Sequence, residues 1–257
     1  MSDRSLSLLG TSALTVDYGG NRALSSVDLD VPERAITGLI GPNGAGKTTL
    51  FNAVSGLLTP SAGTVHFDGR DITRLDPHRR ARLGIARTFQ RLELFTDLTV
   101  RDNLRVAGEM RMTWSPLGRV RAGRDGGASA VARDVDGLVE RLGLGAVADV
   151  EASEVPTGTA RLVELGRALM IRPRLLLLDE PASGQTDDET KAFERVLRDL
   201  VDRHGLTVLL IEHDMSLVMG ICDHVHVLDF GETIAVGAPD AVRADARVQE
   251  AYLGTPT

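Results

Sequence analysis

An α/β fold with a largely parallel sheet covered by helices, an antiparallel β subdomain at its start and an inserted helical lobe is predicted by three observations. Short apolar runs of strand length alternate with helix-spaced apolar residues in the second half of the chain. A pair of alternating patterns opens it, and strand signals vanish from about residue 98 to residue 150.

Taken in order, Leu14 to Val16 and Val27 to Val31 alternate around the turn signal Gly19-Gly20-Asn21, which predicts antiparallel strands. Ala35 to Ile40 reads as a buried strand, followed by a glycine-rich turn and then Leu50, Val54 and Leu57 at helical spacing up to Pro60. Trp114 to Gly127, rich in Arg and Gly, reads as a loop or a frayed helix end, and Val135 to Leu144 as helix. A helix over Arg161 to Ile171, strands at Leu175 to Leu178 and Leu206 to Ile211, and a closing pair near Val225 to Val227 and Thr233 to Val236 complete the alternation.

Composition removes several function classes. The 257 residues suffice for a sizeable core in one large domain or one domain with an inserted lobe. A net charge of -7 disfavours a protein that binds nucleic acid through a basic surface. No run approaches the roughly 20 apolar residues that span a bilayer, and MSDRSLSLLG is a poor secretion signal, so a cytoplasmic protein is expected. The single cysteine, Cys222, has no internal disulfide partner and lies among Val218, Met219 and Ile221, where a small buried thiol is the ordinary reading.

The segment Gly41-Pro42-Asn43-Gly44-Ala45-Gly46-Lys47-Thr48, followed by Thr49, fits G-x-x-x-x-G-K-[ST] between a strand and a helix. At average residue frequencies a chain of this length holds that pattern by chance about once in a hundred. Glycines let successive backbone N–H groups curl around phosphate oxygens, and the helix start adds partial positive charge. Lys47 then reaches the β and γ phosphates, and Thr48 ligates Mg²⁺.

Leu175 to Glu180 is an apolar strand ending in two carboxylates, Asp179 for the metal through water and Glu180 for the attacking water. Ile211-Glu-His213 ends a second strand in the same manner, with His213 either structural or at the shared carboxyl edge of the sheet. Gln90 stands for a surface amide or a group that senses Mg²⁺ or water. Tyr18 stands for packing beside the turn or for a ring that stacks on adenine.

These motifs, in this order and over nearly the whole chain, resemble the ATP-binding cassettes of the transporter superfamily, with their P-loop (RecA-like) core. The resemblance implies ATP and Mg²⁺ as cofactors, Tyr18 as the adenine-stacking aromatic, Gln90 as the glutamine between core and helical lobe, Glu180 as catalytic carboxylate and His213 as switch histidine. It implies divisions at 1–97 (core with β subdomain and phosphate loop), 98–157 (helical subdomain ending in the signature) and 158–257 (remainder of the core). Two cassettes of that family close head to tail, each ATP being gripped by one phosphate loop and the other subunit's signature segment.

Gly84 to Gln90, Val163 to Leu169, Ile211 to Met219 and Ala251-Tyr-Leu-Gly254 resemble the branched-chain amino acid import ATPases. That likeness implies integral-membrane permease subunits, a second cassette and an extracytoplasmic solute-binding protein as partners, and a place on the inner face of the membrane. Two alternatives are a cassette ATPase acting on DNA or ribosomes, disfavoured by the lack of a second cassette or a long coiled coil, and a regulatory module that no longer hydrolyses ATP.

Two segments depart from the pattern. The signature, usually Leu-Ser-Gly-Gly-Gln, reads Val155-Pro156-Thr157-Gly158-Thr159, and Pro156 lacks a serine's hydroxyl. A charge-assisted bond of about 1.5–3 kcal/mol is lost there. ATP-driven closure then weakens about tenfold to a hundredfold unless Thr157 or Thr159 substitutes. Gln185-Thr186 stands where Leu followed by Asp or Asn is usual, in the loop that links the two ATP sites of the family, and the eroded signature predicts an unequal pair of cassettes, a heterodimer in preference to a homodimer. Asp229-Phe-Gly231 reads as a hairpin turn. Arg79, Arg80 and Arg82, and Arg119, Arg121 and Arg124, read as solvated faces, the second cluster alternatively as a contact with the membrane partner or lipid headgroups.

Overall fold

The computed structural model describes residues 7–89, 92–114 and 125–253. Its contacts divide the chain into two compact units, one of Met1–Ile85, Arg174–Glu180 and Leu197–Thr257, the other of Ala86–Pro173 and Pro181–Val196. These divisions lie at 85/86, 173/174, 180/181 and 196/197, where the sequence reading has 97/98 and 157/158. The helix that begins at the signature packs with the helical lobe, so the lobe extends past the signature.

The first unit holds two sheets. β1 (Ser7–Tyr18) and β2 (Asn21–Pro32) pair antiparallel through the Gly19-Gly20 turn, and β4 (Ala62–Phe67) and β5 (Arg70–Asp71) extend them in the order β2-β1-β4-β5. β3 (Ile36–Ile40), β7 (Leu175–Asp179), β8 (Thr207–Ile211) and β9 (His224–Asp229) run parallel, in the order β9-β3-β8-β7. β10 (Glu232–Gly237) closes one side antiparallel to β9, and β6 (Ile85–Arg87) lies at the other edge. The Asp229-Phe-Gly231 segment is the hairpin turn between β9 and β10, with Phe230 and Gly231 at positive φ.

The parallel strands are uniform apolar runs because both faces are covered, and every residue from Leu175 to Leu178 and from Val208 to Ile211 is at most 1% exposed. Leu39, Leu177 and Leu209 share one core with Leu9, Leu14, Leu24, Leu50 and Phe51, so the antiparallel sheet, the parallel sheet and helix α1 (Lys47–Ser55) pack into a single body. Each such side chain contributes roughly 1.5–3 kcal/mol of transfer free energy. Cys222 is buried against Gly38, and burial pushes its thiol up to about 12.

In the second unit α3 (Val100–Met112) packs against α4 (Asp125–Arg141) and α5 (Thr157–Met170). Close approach is possible because Gly108 and Gly166 lack side chains: a Cβ on Gly108 would lie 2.4 Å from Met170 Cε, and one on Gly166 2.6 Å from Leu104 Cδ2. Thr99 starts α3 by accepting the Asp102 N–H. Among the described residues no helix is long and apolar enough to cross a membrane.

One expectation is corrected. Arg80 is not on a solvated face: it lies in α2 (Pro77–Leu83) and is 1% exposed, held by backbone carbonyls. Of Trp114 to Gly127, read as a loop or a frayed helix end, residues 125–127 open α4. Residues 115–124, with Arg119, Arg121 and Arg124, lie outside the described residues.

Candidate functional site

The turn between β3 and α1 is built by positions where only glycine fits. At Gly41, φ is 149°, and a Cβ would lie 2.1 Å from the Leu228 carbonyl oxygen. At Gly46, φ is 101°, with Leu24 Cδ2 at 2.7 Å and the Ala23 carbonyl at 2.8 Å from a Cβ. The loop is fixed from outside by the β9–β10 turn, whose Gly231 N–H donates to the Ala45 carbonyl at 3.0 Å. Thr48 and Thr49 occupy the first turn of α1, with the Thr48 side chain exposed.

Lys47 lies within this loop, 9% exposed, its Nζ donating to the Gly41 carbonyl at 2.6 Å and the Pro42 carbonyl at 2.9 Å. Burial lowers its pKa, and the nearby charges of Glu180 and Asp179 oppose that shift. Residues 132 and 133 positions apart in sequence therefore interact electrostatically.

Asp179 is the last residue of β7 and buried. Glu180 follows at φ 48°, a left-handed conformation that costs a non-glycine residue about 1–3 kcal/mol, and its N–H is held by the Ile211 carbonyl at 3.0 Å. His213 follows β8, which pairs with both β3 and β7, so it stands at the same carboxyl end of the sheet. Its side chain is 64% exposed, with Nδ1 3.8 Å from Glu212 Oε2. Tyr18, half exposed, ends β1. Gln90 lies outside the described residues.

Sequence reasoning missed Glu212 and Tyr252. Glu212 is 1% exposed and accepts the His213 N–H at 3.2 Å, a buried carboxylate between an apolar strand and the histidine. Its place in an otherwise apolar run was the signal. Tyr252, on the helix Ala246–Leu253, buries its hydroxyl near the Gly41 amide without a bond of normal geometry, and burial pushes its phenol up to about 12. A cavity of about 520 Å³ lies beside it, lined by residues 42–45 of the loop and by Phe230, Arg247 and Glu250.

In the other unit, Pro156 precedes the first turn of α5, with Thr157 and Gly158 its first two residues and no side-chain cap. Further along α5, Arg161 pairs with Glu164 at 3.0 Å. Both are buried, and burial raises the Glu164 pKa against the pull of Arg161. Arg161 also donates to the Phe89 carbonyl at 3.3 Å, and Arg167 donates to that of Glu93. The segment thus held exposes Phe89, Leu92 and Phe95, with Arg87 over the first ring and Arg167 over the last.

No group of three or more His, Cys, Asp or Glu side chains among the described residues could hold a metal by itself. One exposed hydroxyl at Thr48 and one carboxylate at Asp179 instead suit a hard cation that brings most of its oxygen ligands with it, on phosphates.

The ABC transporter family matches residues 24–183, and the family described as branched-chain amino acid ATP-binding cassette transporter matches residues 232–256. Among curated relatives, the high-affinity branched-chain amino acid transport ATP-binding protein LivG of Salmonella typhimurium is 40% identical, covering 96% of this chain and 98% of its own. BraF of Pseudomonas aeruginosa, with the same description, is also 40% identical over the same shares. A solved nucleotide-free ATP-binding cassette from an ABC transporter superposes with a TM-score of 0.83 at 32% identity, covering 97% of this chain and all of that one.

Proposed function

This chain belongs to the ABC transporter family as an ATP-hydrolysing cassette, and from that premise we propose that it powers import of branched-chain amino acids or a related small polar solute. The observation that carries the catalytic part is the glycine-built turn that closes on Lys47 at the carboxyl end of the sheet in which β7 ends in Asp179, followed by Glu180.

In this reading the loop of residues 41–49 cradles the phosphates through its backbone N–H groups, Pro42 having none, Tyr18 stacks on adenine, and Lys47 leaves the Gly41 and Pro42 carbonyls for the β and γ oxygens. Glu180, held at a strained φ by the Ile211 carbonyl, orients the attacking water. His213 and Gln90 are assigned by the family resemblance to the γ-phosphate. Thr48, Gln90 and, through water, Asp179 would hold Mg²⁺, which would supply positive charge beside the phosphates. Pro156, Thr157 and Gly158 contact the nucleotide of a second cassette, and the missing serine hydroxyl favours an unequal pair.

Partners in this reading are integral-membrane permeases, which hold the cassette on the cytoplasmic face, and an extracytoplasmic solute-binding protein. The exposed Phe89, Leu92 and Phe95 offer apolar surface for the permease. The test is purification from membranes through a tag on this chain. A multi-spanning subunit and a second cassette should accompany it, and leucine, isoleucine or valine with the binding protein should stimulate ATP turnover. A chain that comes out alone, or a complex unresponsive to those solutes, contradicts the transport reading.

A further inference from the structure

One carboxylate in the helical unit serves two helix starts. The helix α6 (Asp187–His204) is opened by a reciprocal box: Glu189 Oε2 accepts the Thr186 N–H at 2.9 Å and the Thr186 hydroxyl at 3.0 Å, while the Glu189 N–H meets Thr186 Oγ1 at 3.4 Å. The same carboxylate lies over Gly158, the second residue of α5. A Cβ built there would be 2.4 Å from Glu189 Oε1, 2.5 Å from Cδ and 2.8 Å from Cγ. The Thr186 bonds and the Gly158 amide hold the Glu189 carboxyl below the usual range, so it is charged at neutral pH.

The start of α5 has no side-chain cap of its own, and Pro156 brings neither hydroxyl nor N–H. The anion beside its first amides is therefore one the chain itself supplies. A side chain at 158 would displace the carboxylate that rests on it.

We propose that Glu189 is a positioning residue: in the resting chain it fills the start of the signature helix and ties the 181–186 loop beside it, and it yields that place to the γ-phosphate of the nucleotide held by the partner cassette. This rests on the signature reading given above. Two anions cannot be satisfied by the same few amides, so closure must work against the Glu189 charge until the carboxylate moves aside.

Glutamine also closes a capping box, so Glu189→Gln keeps the start of α6 and removes only the charge. In the complex purified from membranes, that variant should lower the KM for ATP about two- to fivefold, with a smaller change in kcat and an unchanged melting temperature. Glu189→Ala, which also breaks the box, should lower the melting temperature. An unchanged or raised KM in a normally melting Glu189→Gln complex overturns the proposal. Gly158→Asp, whose carboxylate cannot withdraw, separates the two readings. If it raises KM while Glu189→Gln does nothing, only the role of Glu189 fails; if it leaves KM unchanged, the signature reading itself fails.

Discussion

Arg80 is the largest fully buried side chain described, and the nearby charge of Asp71 only partly offsets its burial. Its guanidinium donates to the carbonyls of Ala53 at 2.7 Å, Val54 at 2.6 Å, Thr73 at 3.0 Å and Leu75 at 2.9 Å, two of them in the last turn of α1. A cation there complements the helix dipole of the segment whose other end carries the phosphate loop. Gly56 leaves the passage open, since a Cβ would come within 2.8 Å of Arg80 Nε. Burial lowers the Arg80 pKa to about 10, which leaves it charged at neutral pH. Arg80→Met should strand four carbonyls and cost about 3 kcal/mol or more, read as a lower denaturant midpoint. An unchanged midpoint would contradict this account. Lys47→Ala should weaken ATP binding about tenfold to a hundredfold in a direct titration, by loss of charge-assisted bonds to phosphate. Lys47 is legible in sequence because its neighbours in the chain are its loop. Arg80 is not, because its partners are backbone groups 5 to 27 positions away and look the same from any sequence.

Among the elements, the join between β9 and β2 responds to pH. His226 on β9 is 4% exposed, with Nε2 3.0 Å from the Asp30 carbonyl on β2, so the neutral ring carries its proton on Nε2. Burial lowers its pKa, the Asp30 carbonyl and charge opposing. A histidine held neutral in the fold stays unprotonated where the unfolded chain takes up a proton, so its contribution is full above the unfolded pKa of about 6.5 and is lost progressively as pH falls below that. His226→Gln should flatten the acid limb of a melting temperature against pH profile between about pH 6.5 and 5. A limb of equal slope would place the acid sensitivity elsewhere. The strands β3, β7 and β8 are legible because burial on both faces leaves uniform apolar runs. β4 and α2 escape because Ala-Gly-Thr-Val-His-Phe and Pro-His-Arg-Arg-Ala-Arg-Leu are fixed by their neighbours more than by their own pattern. The extent of the helical unit escapes as well, since α5 joins it through helix crossings at Gly166 and Leu104.

For the whole molecule, the sequence shows an ATP-hydrolysing cassette through one dense motif and two strand ends, and family membership agrees. The departures at Pro156 and Gln185-Thr186 are legible as departures, but the resting place of Glu189 over Gly158 becomes visible only when α5 and α6 are folded together. An intact phosphate site combined with a signature lacking its hydroxyl predicts two unequal ATP sites per complex. Turnover should then depend on which cassette is altered. The most direct measurement of the central claim is ATP turnover by the purified complex carrying Glu180→Gln in this chain. The account predicts retained ATP binding with turnover at this chain's own site lost; full ATPase activity in that variant would contradict it.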